Sequence, residues 1–98
     1  MAIEVLIRRT TRSGINAKAL LPYIVELRSQ AVKQPGYISG ETLFDLERKD
    51  ECLVVSRWTT LEHWKQWNLS ARRMKLDEGM QELLGTKTEY RFFGVGLW

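Results

Sequence analysis

The chain has 98 residues, 44% of them hydrophobic and 28% charged, which fits one globular domain over 1–98 and excludes disordered and collagen-like classes. Its 15 basic and 12 acidic residues leave a net charge of only +3. That mild, scattered excess gives no reason to expect a nucleic-acid or membrane partner. No apolar run approaches a membrane span, and the opening Met-Ala-Ile-Glu-Val lacks the apolar core of a signal peptide. The lone cysteine, Cys52, allows no internal disulfide, and together these features predict a cytoplasmic setting.

Alternation predicts a first strand over Ile3 to Thr10, with Ile3, Val5 and Ile7 on one face and Leu6 on the other. After a turn at Thr11 to Gly14, the 3–4 spacing of Leu20, Tyr23, Ile24, Leu27 and Ala31 predicts a helix to about Lys33. Asn16 can cap it, and Pro22 is tolerated only near its first turn. Gln34-Pro35-Gly36 stops that helix. A strand over Tyr37 to Glu47, a polar loop at Arg48-Lys49-Asp50 and a strand over Glu51 to Thr59 follow. Leu53, Val54 and Val55 are consecutive, so both faces of that strand are at least partly covered.

Thr60 suits the N-cap of a helix carrying Leu61, Trp64 and Trp67. Ser70 suits the cap of another, to about Leu84, with Met74, Leu76, Met80, Leu83 and Leu84 as its apolar positions. Gly79 weakens it by about 1 kcal/mol relative to alanine. After Gly85, Thr86 to Phe93 reads as the last strand, Tyr90 and Phe92 on one face and Phe93 on the other. The order β-α-β-β-α-β is the ferredoxin-like α+β plan, a four-stranded antiparallel sheet with helices on one face. Its second face also carries apolar residues, which predicts a homodimer formed by packing sheet on sheet. A chain this short buries only ~60–65% of its unfolded surface, so a partner would also add stability.

Chemistry concentrates between Trp58 and Arg73, where three of the four tryptophans fall within ten residues. Trp58, Trp64 and Trp67 can wall a pocket for a flat aromatic ligand, or simply fill the core. His63, one turn before Trp67, is the only histidine. It can serve as acid or base, ligate haem iron, or sit on the surface. One histidine and one cysteine cannot build a zinc site. Arg8-Arg9 and Arg72-Arg73 read as solvated ends or as anion contacts. Glu41 lies in a strand beside Gly40, lining a cavity or exposed at an edge. Cys52 has no basic neighbour in sequence and reads as a small hydrophobe. Asp77 and Glu78 read as solvated helix positions. Gly94-Val95-Gly96 precedes no helix, so it is no dinucleotide fingerprint. RNA recognition by a β-α-β-β-α-β domain needs a basic, glycine-containing aromatic strand, and Glu51 to Trp58 does not supply one.

The segments Gln34-Pro35-Gly36-Tyr37, Ser39-Gly40-Glu41-Thr42-Leu43 and Val54-Val55-Ser56-Arg57-Trp58, with the spacing from Trp58 to Trp67 and Ser70, carry a resemblance over nearly the whole chain. The chain resembles the antibiotic biosynthesis monooxygenase family. That resemblance implies a dimeric α+β barrel, each subunit with its own pocket between sheet and helices. It implies either a cofactor-independent oxygenase acting on an aromatic or quinol-like small molecule or a haem-degrading enzyme. The haem-degrading branch uses a first-strand asparagine, a tryptophan and a histidine ligand. Here only Trp67 has its counterpart, while Ile7 and Asp77 stand at the other two places. Haem degradation by that route is therefore not expected.

The leading expectation is a small monooxygenase with no cofactor, haem and flavin being left open. In it Arg72 stabilises a substrate anion, Trp67 stacks on the ring and His63 assists proton transfer. The second expectation is a non-catalytic ligand-binding or stress-related dimer on the same scaffold.

Overall fold

The computed structural model describes residues 1–97. Strand β1 (Ile3–Thr10) leads through one 3-10 turn (Ala17–Leu20) into helix α1 (Leu21–Ala31). Strands β2 (Tyr37–Phe44) and β3 (Glu51–Trp58), helices α2 (Leu61–Asn68) and α3 (Ala71–Met80), and strand β4 (Glu89–Gly94) follow. The sheet is antiparallel throughout, in the order β2-β3-β1-β4, so the ferredoxin-like α+β reading holds.

The caps explain where the helices begin. Asn16 accepts the N–H of Lys18, but as the start of the 3-10 turn. Pro22 then falls in the first turn of α1, where its missing N–H costs nothing. The hydroxyls of Thr60 and Ser70 accept the N–H groups of His63 and Arg73, which splits the second helical region into α2 and α3.

Three boundaries differ from the expected ones by three residues or more. Strand β2 ends at Phe44, three residues early, because the Asp45 carboxylate takes the N–H groups of Glu47 and Arg48 and turns the chain. Helix α3 stops at Met80 rather than near Leu84, and the last residues close as a turn with Leu83 N–H on the Met80 carbonyl. Strand β4 starts at Glu89, opposite Arg8. Ahead of it, Gly85 N–H already bonds Thr10, so the intervening residues form no ladder with β1.

Register divides the sheet into two faces, because residues directly opposite share a face. The inner face carries Ile3, Val5, Ile7, Cys52 and Trp58, all buried beneath Leu20, Ile24, Leu27, Trp64, Trp67 and Met80 of the helical layer. Trp64 meets Phe92 and Tyr90 of β4 edge-on, with ring centroids 5.0 and 6.0 Å apart. Burying one indole removes roughly 150–250 Å2 from water, worth about 4–6 kcal/mol at about 25 cal/mol per Å2. The three tryptophans are thus a large part of what fastens helices to sheet. Leu6, Leu43, Leu53 and Val55 point to the outer face, and no helix among the described residues covers them.

One apolar assignment is overturned on α3. Met74 is 53% exposed, while Arg73 is 3% exposed. The inward stripe runs from buried Arg73 through half-buried Leu76 and Asp77 to buried Met80, a helical phase one residue away from Met74.

Candidate active site

A cavity of about 60 Å3 lies between the inner sheet face and the helices. Ile7 and Val54 form its floor, Ile24, Leu27 and Ala31 of α1 one side, and Trp58, Trp64 and Trp67 an aromatic wall. Tyr37 stands against Trp58 edge-on, centroids 5.3 Å apart, and the Trp58 indole N–H donates to Ser56 at 3.1 Å. The three tryptophans therefore belong to core and cavity at once.

The other expected site residues separate. His63 is not part of the lining. Its Nδ1 lies 2.8 Å from Thr60 Oγ1 and 3.0 Å from Thr59 Oγ1, and its ring covers Gly36. Those bonds are local to the start of α2, and the Thr59 N–H donating to the Gly36 carbonyl at 2.8 Å ties the turn before β2 to it. Arg72 is exposed and also outside the lining, because the buried phase of α3 selects its neighbour. Glu41 borders the cavity, but it pairs with Val55 in the ladder, so its side chain belongs to the outer face, where it lines a second depression with Glu4 and Arg57.

Two cavity residues come from the arginine pairs that the sequence left open between solvated ends and anion contacts. Arg9 is 1% exposed and lines the cavity from β1, and Arg73 lines it from α3. A signal for each was present. The inward row Ile3, Val5, Ile7 continues by alternation to Arg9, and the helical spacing back from Met80 and Leu76 reaches Arg73. Burial lowers the pKa of Arg9 and Arg73 adds to that, while Tyr90, Asp77 and Cys52 oppose it. Arginine nevertheless keeps its proton in proteins. Asp77 places Oδ1 3.9 Å from Arg73 Nη1 with that atom buried, although the side chain as a whole is 31% exposed, so the residue is half-buried rather than fully solvated. Cys52 stands opposite Arg9 in the ladder, which supplies the basic neighbour its local sequence lacks. Its thiol pKa is still raised, because burial outweighs the attraction of Arg9. The site thus offers an apolar, aromatic enclosure with fixed positive charge at one side, suited to a ring whose negative charge needs stabilising.

A haem does not fit these residues. Ile7 offers no ligand atom, Asp77 is engaged toward Arg73, His63 stands outside the lining, and the cavity is far smaller than a porphyrin. Among the described residues no three His, Cys, Asp or Glu side chains converge to hold a metal ion. Nor is any helix among them long and apolar enough to cross a membrane.

Comparison with solved structures finds the same fold repeatedly at low identity. SnoaB, a cofactor-independent oxygenase from Streptomyces nogalater, superposes with a TM-score of 0.85 at 11% identity, over 99% of this chain and 95% of that one. Rv0793 from Mycobacterium tuberculosis matches with a TM-score of 0.83 at 14% identity, over 97% and 95%. A conserved protein from Methanosarcina mazei matches with a TM-score of 0.84 at 17% identity, over 95% and 91%. At these identities the likeness establishes the fold alone. No curated protein matches the sequence. The family model for antibiotic biosynthesis monooxygenases, however, matches residues 3–76, spanning β1 through most of α3. The chain therefore belongs to the antibiotic biosynthesis monooxygenase family.

Proposed function

We propose that this protein is a cofactor-independent monooxygenase acting on a small, electron-rich aromatic such as a hydroquinone or phenol. The observation that carries the reading is the tryptophan-walled cavity with Arg9 and Arg73 in its lining. Family membership supports the reaction class. In the proposed reaction the substrate loses a proton from an activated ring position, and the resulting anion is stabilised by the two guanidinium groups. Its carbon bonds to O2, giving a hydroperoxide once the distal oxygen takes up a proton. Loss of water from that hydroperoxide leaves a carbonyl. One oxygen atom enters the product, the other leaves as water, and the substrate supplies all the electrons. Trp67 and Trp64 hold the ring. The guanidinium charge lowers the pKa of the group that ionises, which reduces the need for a dedicated base. His63 and Arg72, outside the lining, act on the site only through its frame.

Cavity size limits the substrate to at most a single ring. An apolar cavity that accepts benzene measures about 150 Å3. A ring therefore needs Tyr37 or the long Arg28 side chain, both in the lining, to swing aside. A homodimer joined through the outer sheet faces completes the proposal, and the cytoplasm is its proposed location.

Oxygen uptake with a panel of substituted hydroquinones and phenols, followed by mass spectrometry after 18O2 labelling, tests the activity. Uptake above the uncatalysed rate with one labelled oxygen in the product is expected. A panel that binds without any uptake favours the second reading, a non-catalytic ligand-binding dimer. That reading draws its support from the absence of imidazole from the lining.

A further inference from the structure

We propose that Arg9 and Arg73 make the cavity a receptor for one compact monoanion, a carboxylate or phenolate that the ligand carries before any reaction. Both side chains are almost wholly buried, at 1% and 3% exposure, and they reach the same cavity from different elements, β1 and α3. Neither can shed its charge. A buried charge left without a counter-charge is strongly unfavourable, so the pair calls for negative partners.

The chain supplies one, incompletely. Among the described residues Asp77 is the only carboxylate acting on Arg9, and one negative charge faces two positive ones. Its Oδ1 stands 3.9 Å from Arg73 Nη1, beyond hydrogen-bond range, and has no other hydrogen-bond partner among the described residues. Arg9 Nε is also buried without a hydrogen-bond partner among them. Cys52 does not make up the deficit, since burial favours its neutral thiol. Glu41 is directed to the opposite face of the sheet. What remains is a site with a surplus positive charge, an unused buried donor and a small volume beside it.

A carboxylate meets all three conditions. Its two oxygens match the planar donor edge of a guanidinium, and charge-assisted bonds of this kind are short and directional. The 60 Å3 space suits an acid group, and an attached ring reaches Trp58, Trp64 and Trp67 once Tyr37 or Arg28 swings aside. Arg28, exposed on α1 and also in the lining, adds positive charge at the entrance. This deepens the oxygenase reading by naming the charge its substrate carries, although binding does not depend on turnover.

The test compares sodium benzoate with benzamide, its neutral counterpart, at equal ionic strength, using tryptophan fluorescence and calorimetric titration of the intact chain. Benzoate is expected to bind saturably and at least about tenfold more tightly, equivalent to about 1.4 kcal/mol. Arg9→Met should fold, because it removes the surplus buried charge, whereas Arg73→Met leaves Asp77 without its counter-charge and is expected to fold with lower stability; each should erase the preference. Arg73→Lys, which keeps the charge but loses the fork, should retain a reduced one. The wild-type comparison decides the matter alone should a variant fail to fold. Equal affinities for the two ligands, no saturable benzoate binding, or a preference that survives both methionine variants would overturn the proposal. Benzoate preference without oxygen uptake on any substrate would retire the oxygenase reading and leave the anion site standing. Uptake on neutral hydroquinones without benzoate preference would do the reverse.

Discussion

Trp67 shows why single residues here resist a choice between core and site. It is buried against the helical layer and also forms part of the cavity wall. Trp67→Phe should therefore act twice. Lost packing should lower stability by about 1–3 kcal/mol, and lost stacking should weaken an aromatic ligand by about 0.5–1.5 kcal/mol. Thermal melts and ligand titrations on this variant measure the two effects separately, and unchanged affinity would remove the indole from the binding surface. Gly36 holds φ +85° and supports the His63 ring, which a Cβ would strike. Gly36→Ala should cost about 1–3 kcal/mol in urea unfolding through left-handed strain and this collision together. A loss below a few tenths of a kcal/mol would contradict the proposed frame role of His63.

Elements end where local hydrogen bonds compete successfully with ladder or helix. The Asp45 carboxylate accepts the N–H groups of Arg48 and Glu47, and these two bonds, led by Arg48, hold its pKa below the ordinary carboxylate value. A depressed carboxyl pKa stabilises the fold above the ordinary range, and that contribution disappears as pH falls through the depressed value. Asp45→Ala should therefore be less stable than wild type at neutral pH, the difference shrinking toward zero in strong acid. Urea midpoints of both proteins between pH 7 and pH 2 give the comparison, and a constant gap would show that the carboxylate is not the cause. On α3, Gly79 looks like a weakness in the helix until its neighbour is considered. A Cβ at Gly79 would lie 2.8 Å from Tyr23 Cε1, so the glycine permits the close approach of α1 and α3.

At the scale of the whole molecule, the uncovered sheet face sets the expected assembly. Leu43 pairs with Leu53, and Leu6 with Val55, forming an apolar band beside the Glu4–Arg57 ion pair. Leu43 alone is 45% exposed in the isolated chain. Contiguous apolar surface of this kind marks an interface. Light scattering at micromolar concentration should give twice the 11.5 kDa chain mass, and Leu43→Arg should shift the population toward monomer. A wild-type mass equal to that of one chain would count decisively against the dimer.

Period and punctuation determined most of the architecture. Alternation in β1, 3–4 spacing in α1, the cap residues Thr60 and Ser70 and the stop at Pro35-Gly36 each depend on neighbours a few residues apart, and all are legible in one dimension. The aromatic wall was legible for the same reason, since Trp64 and Trp67 share a helical face. What the tertiary structure alone decided is that two inward-facing charges share one cavity. Arg8 and Arg9 are adjacent in sequence, as are Arg72 and Arg73, yet in each pair one side chain is exposed and the other buried. Strand and helix phase select the buried member, but only the packing of α3 over β1 brings Arg9 and Arg73 to one cavity and leaves Asp77 too distant to bond Arg73 directly. His63 was placed by the same logic in reverse. Its helical spacing suits a pocket, while the hydroxyls of Thr59 and Thr60 and the bare backbone of Gly36 hold its ring elsewhere. Pairings between residues distant in sequence depend on how elements pack, and no local pattern encodes that packing.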